Sequence, residues 1–140
     1  MALLSWLDKK VDDSKAGVLS AIDLKYVLDT HHMLKKRLLD VMDGTSTEPL
    51  DVVTISQDDV CAIGKWLYGE GKTLYGHLPE YETARQVHAE LHLCAGEVLT
   101  QHQIGNQDQA FALLKTKYRS TSSKNQMEFT RLFKAAKVNP

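Results

Sequence analysis

Cysteine is scarce in this chain: only Cys61 and Cys94 occur in 140 residues. One possible bridge is a poor scaffold for such a length, which is large enough to bury a core without staples. Two thiols therefore point to a reducing compartment with thiol or metal chemistry rather than to a disulfide framework. Neither sign of charge is in excess, since the formal net charge is −1. Phosphate binding needs a concentrated basic face, so nucleic acid is not an expected partner. Long apolar runs are also missing. The opening Met1-Ala2-Leu3-Leu4-Ser5-Trp6-Leu7 is cut off by Asp8, Lys9 and Lys10, too soon for a signal peptide or a membrane span. No membrane association and a cytoplasmic location are the expectations. Nor is there enough β-branched alternation to build a sheet, although Asp51-Val52-Val53-Thr54-Ile55 reads as a short extended connection.

What remains is helical patterning in a chain whose 43% hydrophobic and 25% charged content is that of an ordinary globular domain. Residues 1–16 read as an N-terminal arm or short helix, and residues 17–138 as one domain. Over residues 18–42, Leu24, Val27, His31, Leu34, Leu38 and Val41 recur at spacings of three and four, the inner stripe of a bundle helix. His32 is rotated about 100° from His31 and is expected in solvent. Residues 43–49 form a loop by composition. A second, shorter helix is expected from near Ser56 to Tyr68, with Ser56 and Asp59 spaced like a capping box and Cys61 in its first turns. Gly69-Glu70-Gly71 would stop it. A third helix over residues 80–103 presents Ala84, Val87, His88, Leu91, His92, Ala95, Val98 and Leu99 inward. A fourth spans residues 107–137, with Phe111, Leu114, Tyr118, Phe129, Leu132, Phe133 and Ala136 as its apolar face and a weaker, Ser/Thr-rich middle. The economical architecture is an all-α, up-down-up-down four-helix bundle.

Three inward histidines and a cysteine carry the chemistry. His88 and His92 lie about one turn apart on one helix face, His31 holds a core position on the first helix, and Cys61 sits near a helix start, where unpaired amides favour thiolate. Gly64 leaves room beside the sulfur, and Lys65 places a cation nearby. A lone inward histidine is readily satisfied by a carbonyl or hydroxyl. Three of them with a thiol each need a partner, and one divalent ion serves all four; zinc suits this mixture of nitrogen and sulfur. Cys94 reads as a structural thiol, His77 as an exposed loop residue, and His102 as lying too far along the third helix to share a mononuclear site. Trp66 and Tyr68 read as packing residues.

Asp29-Thr30-His31, the block Cys61-Ala62-Ile63-Gly64-Lys65-Trp66-Leu67-Tyr68 and His88-Ala89-Glu90-Leu91-His92, at the intervals that separate them, resemble the chemoreceptor zinc-binding (CZB) domain family of bacterial cytoplasmic signalling proteins over residues 20–135. The resemblance implies a four-helix fold and one zinc held by His31, Cys61, His88 and His92. It departs from the family at Leu34, where a tryptophan is common. Family members usually adjoin a chemoreceptor signalling region or a diguanylate cyclase domain. This chain has neither, which implies a stand-alone member acting in trans on a chemotaxis or cyclic-di-GMP signalling partner, or as a homodimer. With four protein ligands, no position is left for a catalytic water, so no enzymatic activity is expected and Cys61 becomes a redox-labile ligand. The competing readings are a hemerythrin-like di-iron carrier, which needs inward carboxylates that Glu90 and Glu97 do not supply, and a helical adaptor whose histidines merely pack.

Overall fold

The structure is a computed structural model that describes residues 22–138; the expected N-terminal arm, residues 1–16, lies outside them. Every regular element among the described residues is helical: α1 (Leu24–Asp43), α2 (Val52–Ser56), α3 (Ala62–Tyr68), α4 (Glu70–Tyr75), α5 (Pro79–Gln103), α6 (Gln107–Leu113), a π-helical turn (Leu114–Tyr118) and α7 (Arg119–Val138). The all-α class expected from the patterning is therefore what the chain adopts, as a packed bundle of helices.

Helix α1 starts where Asp23 accepts from the Tyr26 N–H at 2.8 Å and ends at Gly44, whose φ of 79° provides the left-handed C-cap. Between these ends Val27, His31, Leu34 and Leu38 are buried, and His32 is exposed. The long central helix α5 begins with Pro79 at its first position, which suits a residue lacking an N–H. Its buried face runs Ala84, Val87, His88, Leu91, His92, Ala95, Val98, Leu99. Its most extensive packing is against α7, and α1 also packs on α7, so the three long helices enclose one core.

The region between α1 and α5 differs from expectation. Residues 52–56 are helical rather than extended, because Asp51 caps them through the Thr54 N–H at 3.1 Å and Ile55 is buried on the core side. Their β-branched character is overridden by that cap and that burial. Ser56 does not cap a following helix: it is the last residue of α2, and its hydroxyl donates to the Val52 carbonyl at 2.7 Å. The next helix starts six residues later at Ala62, with Cys61 as its N-cap. Gly69 separates α3 from the further helix α4 rather than ending helical structure. Tyr68, expected to pack inward, is exposed and donates to Asp58. Trp66 is buried as expected, stacked on Phe133 with ring centroids 5.7 Å apart.

Helical structure from Gln107 to Val138 runs through the polar middle of that segment, interrupted only by the wide turn at Leu114–Tyr118. Ala110, Leu114 and Tyr118 are all buried at successive spacings of four, wider than the 3.6 residues of an α-helical turn. The wide turn thus keeps the stripe facing the core and sets the register of Thr121, Asn125 and Phe129, all buried, on α7.

Candidate metal centre

Core positions on two long helices bring His31 against His88 and His92. Ring centroids lie 5.1 Å apart for His31–His88, 4.6 Å for His88–His92 and 6.1 Å for His31–His92. One ring nitrogen from each of the three lies within 4.8 Å of the other two. All three are buried, His88 completely. Phe129 of α7 closes one side, edge-on to His88 at 6.2 Å.

Cys61 enters from the N-terminus of α3. Its Sγ lies 3.5 Å from His88 Nε2 and 3.5 Å from His92 Nε2, and it accepts from the Gly64 N–H at 3.3 Å. The close fold of the segment before α3 depends on Gly64, where an added Cβ would stand 1.7 Å from the Asp58 carbonyl oxygen. Gly64 is thus required by the loop's own backbone as well as by the space beside the sulfur. The Lys65 side chain is exposed rather than set into the cluster.

The second ring nitrogen of His92 faces the Ile55 carbonyl at 2.9 Å. A carbonyl oxygen only accepts, so Nδ1 carries the hydrogen and the neutral ring presents its Nε2 lone pair toward Cys61. This contact gives α2 its place in the site. The helix is drawn onto α5 at Gly96, where an added Cβ would meet Ser56 Oγ at 1.9 Å. Neither Ile55 nor Gly96 is announced by the sequence as part of a site, because a backbone carbonyl has no residue signature. Asn125 of α7 is a further neighbour: its amide nitrogen lies 3.1 Å from His31 Nδ1.

Burial governs the ionisation of the three imidazoles. It pushes His31 down to about 3, with the neighbouring His92 adding to the effect and the Val27 carbonyl opposing it. His88 falls well below the ordinary range, through burial first and then the other two histidines. For His92 burial also acts downward, but Cys61 and the Ile55 carbonyl outweigh it and the net shift is upward. His31 and His88 are thus held as neutral rings with lone pairs to offer, while the sulfur of Cys61 sets the opposite direction at His92.

The fit to a metal rests on two observations. His31 Nε2 is buried without a hydrogen-bond partner, a costly state for a polar atom in a core. The spacing of sulfur and nitrogen is also that of a tetrahedral zinc edge: bonds of about 2.3 Å to sulfur and about 2.0 Å to nitrogen place the two donors about 3.5 Å apart. Among the described residues the cluster contains no carboxylate, and Glu90 and Glu97, the carboxylates a di-iron site would draw on, are exposed.

The other sequence candidates lie elsewhere. Cys94 is buried 3.6 Å from the Thr121 hydroxyl, His77 is exposed, and His102 pairs with Gln107 at 2.7 Å.

In comparison with known families, residues 31–99 match the chemoreceptor zinc-binding domain. This stretch begins at His31 and includes Cys61, His88 and His92. No match was found among curated proteins or among solved structures.

Proposed function

The chain belongs to the chemoreceptor zinc-binding domain family through its residues 31–99, and from that premise we propose a regulatory zinc-binding module in which His31, Cys61, His88 and His92 hold the ion. Zinc is the cofactor of this family, and the three-histidine cluster is able to hold it. The observation that carries the four-ligand reading is the position of Cys61 Sγ, 3.5 Å from the Nε2 atoms of both His88 and His92, the two histidines that form a cluster with His31. When bound, zinc supplies a Lewis-acid centre that favours the thiolate of Cys61 and the neutral imidazoles, and links α1, α5 and the start of α3.

Protein atoms fill four positions, so the site regulates rather than catalyses. Cys61 is the ligand open to chemical change. It caps a helix of seven residues, whereas the histidines stand within helices of 20 and 25. Attack of the Cys61 sulfur on hydrogen peroxide forms an S–O bond, breaks the O–O bond and releases hydroxide, leaving a sulfenic acid that is a poorer donor. Departure of that donor frees α3 to shift against α5, and the shift is the signal. A bacterial partner of chemotaxis or cyclic-di-GMP type, contacted in trans, receives it; the module acts in the cytoplasm as a homodimer. Among the described residues no helix is long and apolar enough to cross a membrane.

Chelator competition on wild-type protein and a Cys61→Ser variant, before and after peroxide or hypochlorous acid, tests this reading. Wild type is expected to lose at least about tenfold in zinc affinity on oxidation, and the variant to start weaker and not respond. Equal affinities for the two proteins, or equal responses to oxidant, would remove the thiol from the mechanism.

A further inference from the structure

Asn125 is almost fully buried, 1% exposed, in a helix interior where asparagine is an unfavourable residue. It stands outside residues 31–99, yet its amide is hydrogen-bonded to His31, at 3.1 Å from Nδ1. As placed, that contact joins the amide nitrogen to Nδ1, while Asn125 Oδ1 and His31 Nε2 both remain buried without partners. An amide N–H donating to Nδ1 would put the ring hydrogen on Nε2, aimed into the cluster with nothing to accept it.

Turning the amide by 180° exchanges its oxygen and nitrogen without moving the helix, and the two ends are alike in size. Oδ1 then accepts from Nδ1–H, and Nε2 presents a lone pair toward His88 and His92. The result is the arrangement seen at His92, where Nδ1–H donates to the Ile55 carbonyl and Nε2 faces the sulfur.

We propose that Asn125 is a positioning residue for zinc: its side-chain oxygen accepts the Nδ1 hydrogen of His31, fixing the tautomer and ring orientation in which Nε2 is the donor. The inference rests on His31 being a zinc ligand. It extends the site to α7, whose register at Asn125 is set by the wide turn at Leu114–Tyr118. Such outer partners commonly change metal affinity by about 10- to 100-fold when removed.

Asn125→Leu keeps the volume and removes the acceptor, whereas Asn125→Asp keeps an acceptor and removes the amide donor. Zinc affinity by chelator competition and ring ¹⁵N shifts of His31 in the zinc-loaded full chain are the two measurements. The expected results are an affinity about 10- to 100-fold lower for Asn125→Leu at unchanged stoichiometry, wild-type or tighter binding for Asn125→Asp, and a hydrogen on His31 Nδ1 in wild type. Wild-type affinity in Asn125→Leu, equal weakening in both variants, or a hydrogen on Nε2 would overturn the proposal. The ¹⁵N readout on wild type decides the matter even if Asn125→Leu fails to fold. A His31→Ala control separates the two levels: if it binds zinc as wild type does, the ligand assignment beneath the inference has failed, and if it alone loses zinc, only the role of Asn125 has.

Discussion

His92 is constrained at both ring nitrogens, by a backbone carbonyl on one side and the Cys61 sulfur on the other. Cys61 in turn is placed by Gly64, whose N–H it accepts and whose missing Cβ lets the Asp58 carbonyl approach. A Gly64→Ala change drives a methyl group into backbone, which cannot swing aside as a side chain would. The expected outcome is a loss of about 1–3 kcal/mol of folding stability by urea titration, with weaker zinc binding because the displaced loop carries the sulfur. Unchanged stability and zinc affinity would mean that the loop is not held as described. At this scale the sequence was informative: His31, His88 and His92 fell on inner stripes and form one buried cluster, with Cys61, near a helix start, beside two of them. The partners of those rings were not legible. Ile55 contributes through its main chain, and Asn125 sits in a Ser/Thr-rich stretch whose composition suggested a weak helix rather than a wall of the site.

Among the elements, α2 is the piece that patterning misjudged. Its β-branched residues resemble an extended connector, and Ser56 with Asp59 imitates a capping box. The Ser56 hydroxyl instead bonds back to Val52, while Asp51 does the capping. Tertiary packing decided the outcome: buried Ile55 and the close approach of Ser56 to Gly96 tie this five-residue helix to α5. The long helices α1 and α5 were legible because their spacing repeats over many turns, whereas the wide turn at Leu114–Tyr118 departs from any regular period. The Ser56–Gly96 contact predicts coupling. Gly96→Ala alone is expected to destabilise by about 1–3 kcal/mol, and Ser56→Ala, which removes the hydroxyl in its path, to relieve part of that cost when combined with it. Strictly additive effects in a thermal or urea double-mutant cycle would contradict the tight α2–α5 contact.

For the whole molecule, the cluster lies where α1, α5 and the start of α3 meet and α7 closes the side, so it joins side chains far apart in sequence. That position suits a regulatory centre, since a change in one donor is felt by the packing of several helices together. Zinc-edge X-ray absorption on the purified full chain, with metal stoichiometry from the same sample, reads the proposed centre itself. One zinc per chain is expected, with one sulfur at about 2.3 Å and three nitrogens at about 2.0 Å. A shell of nitrogen and oxygen alone, or protein that takes up no zinc, would contradict it.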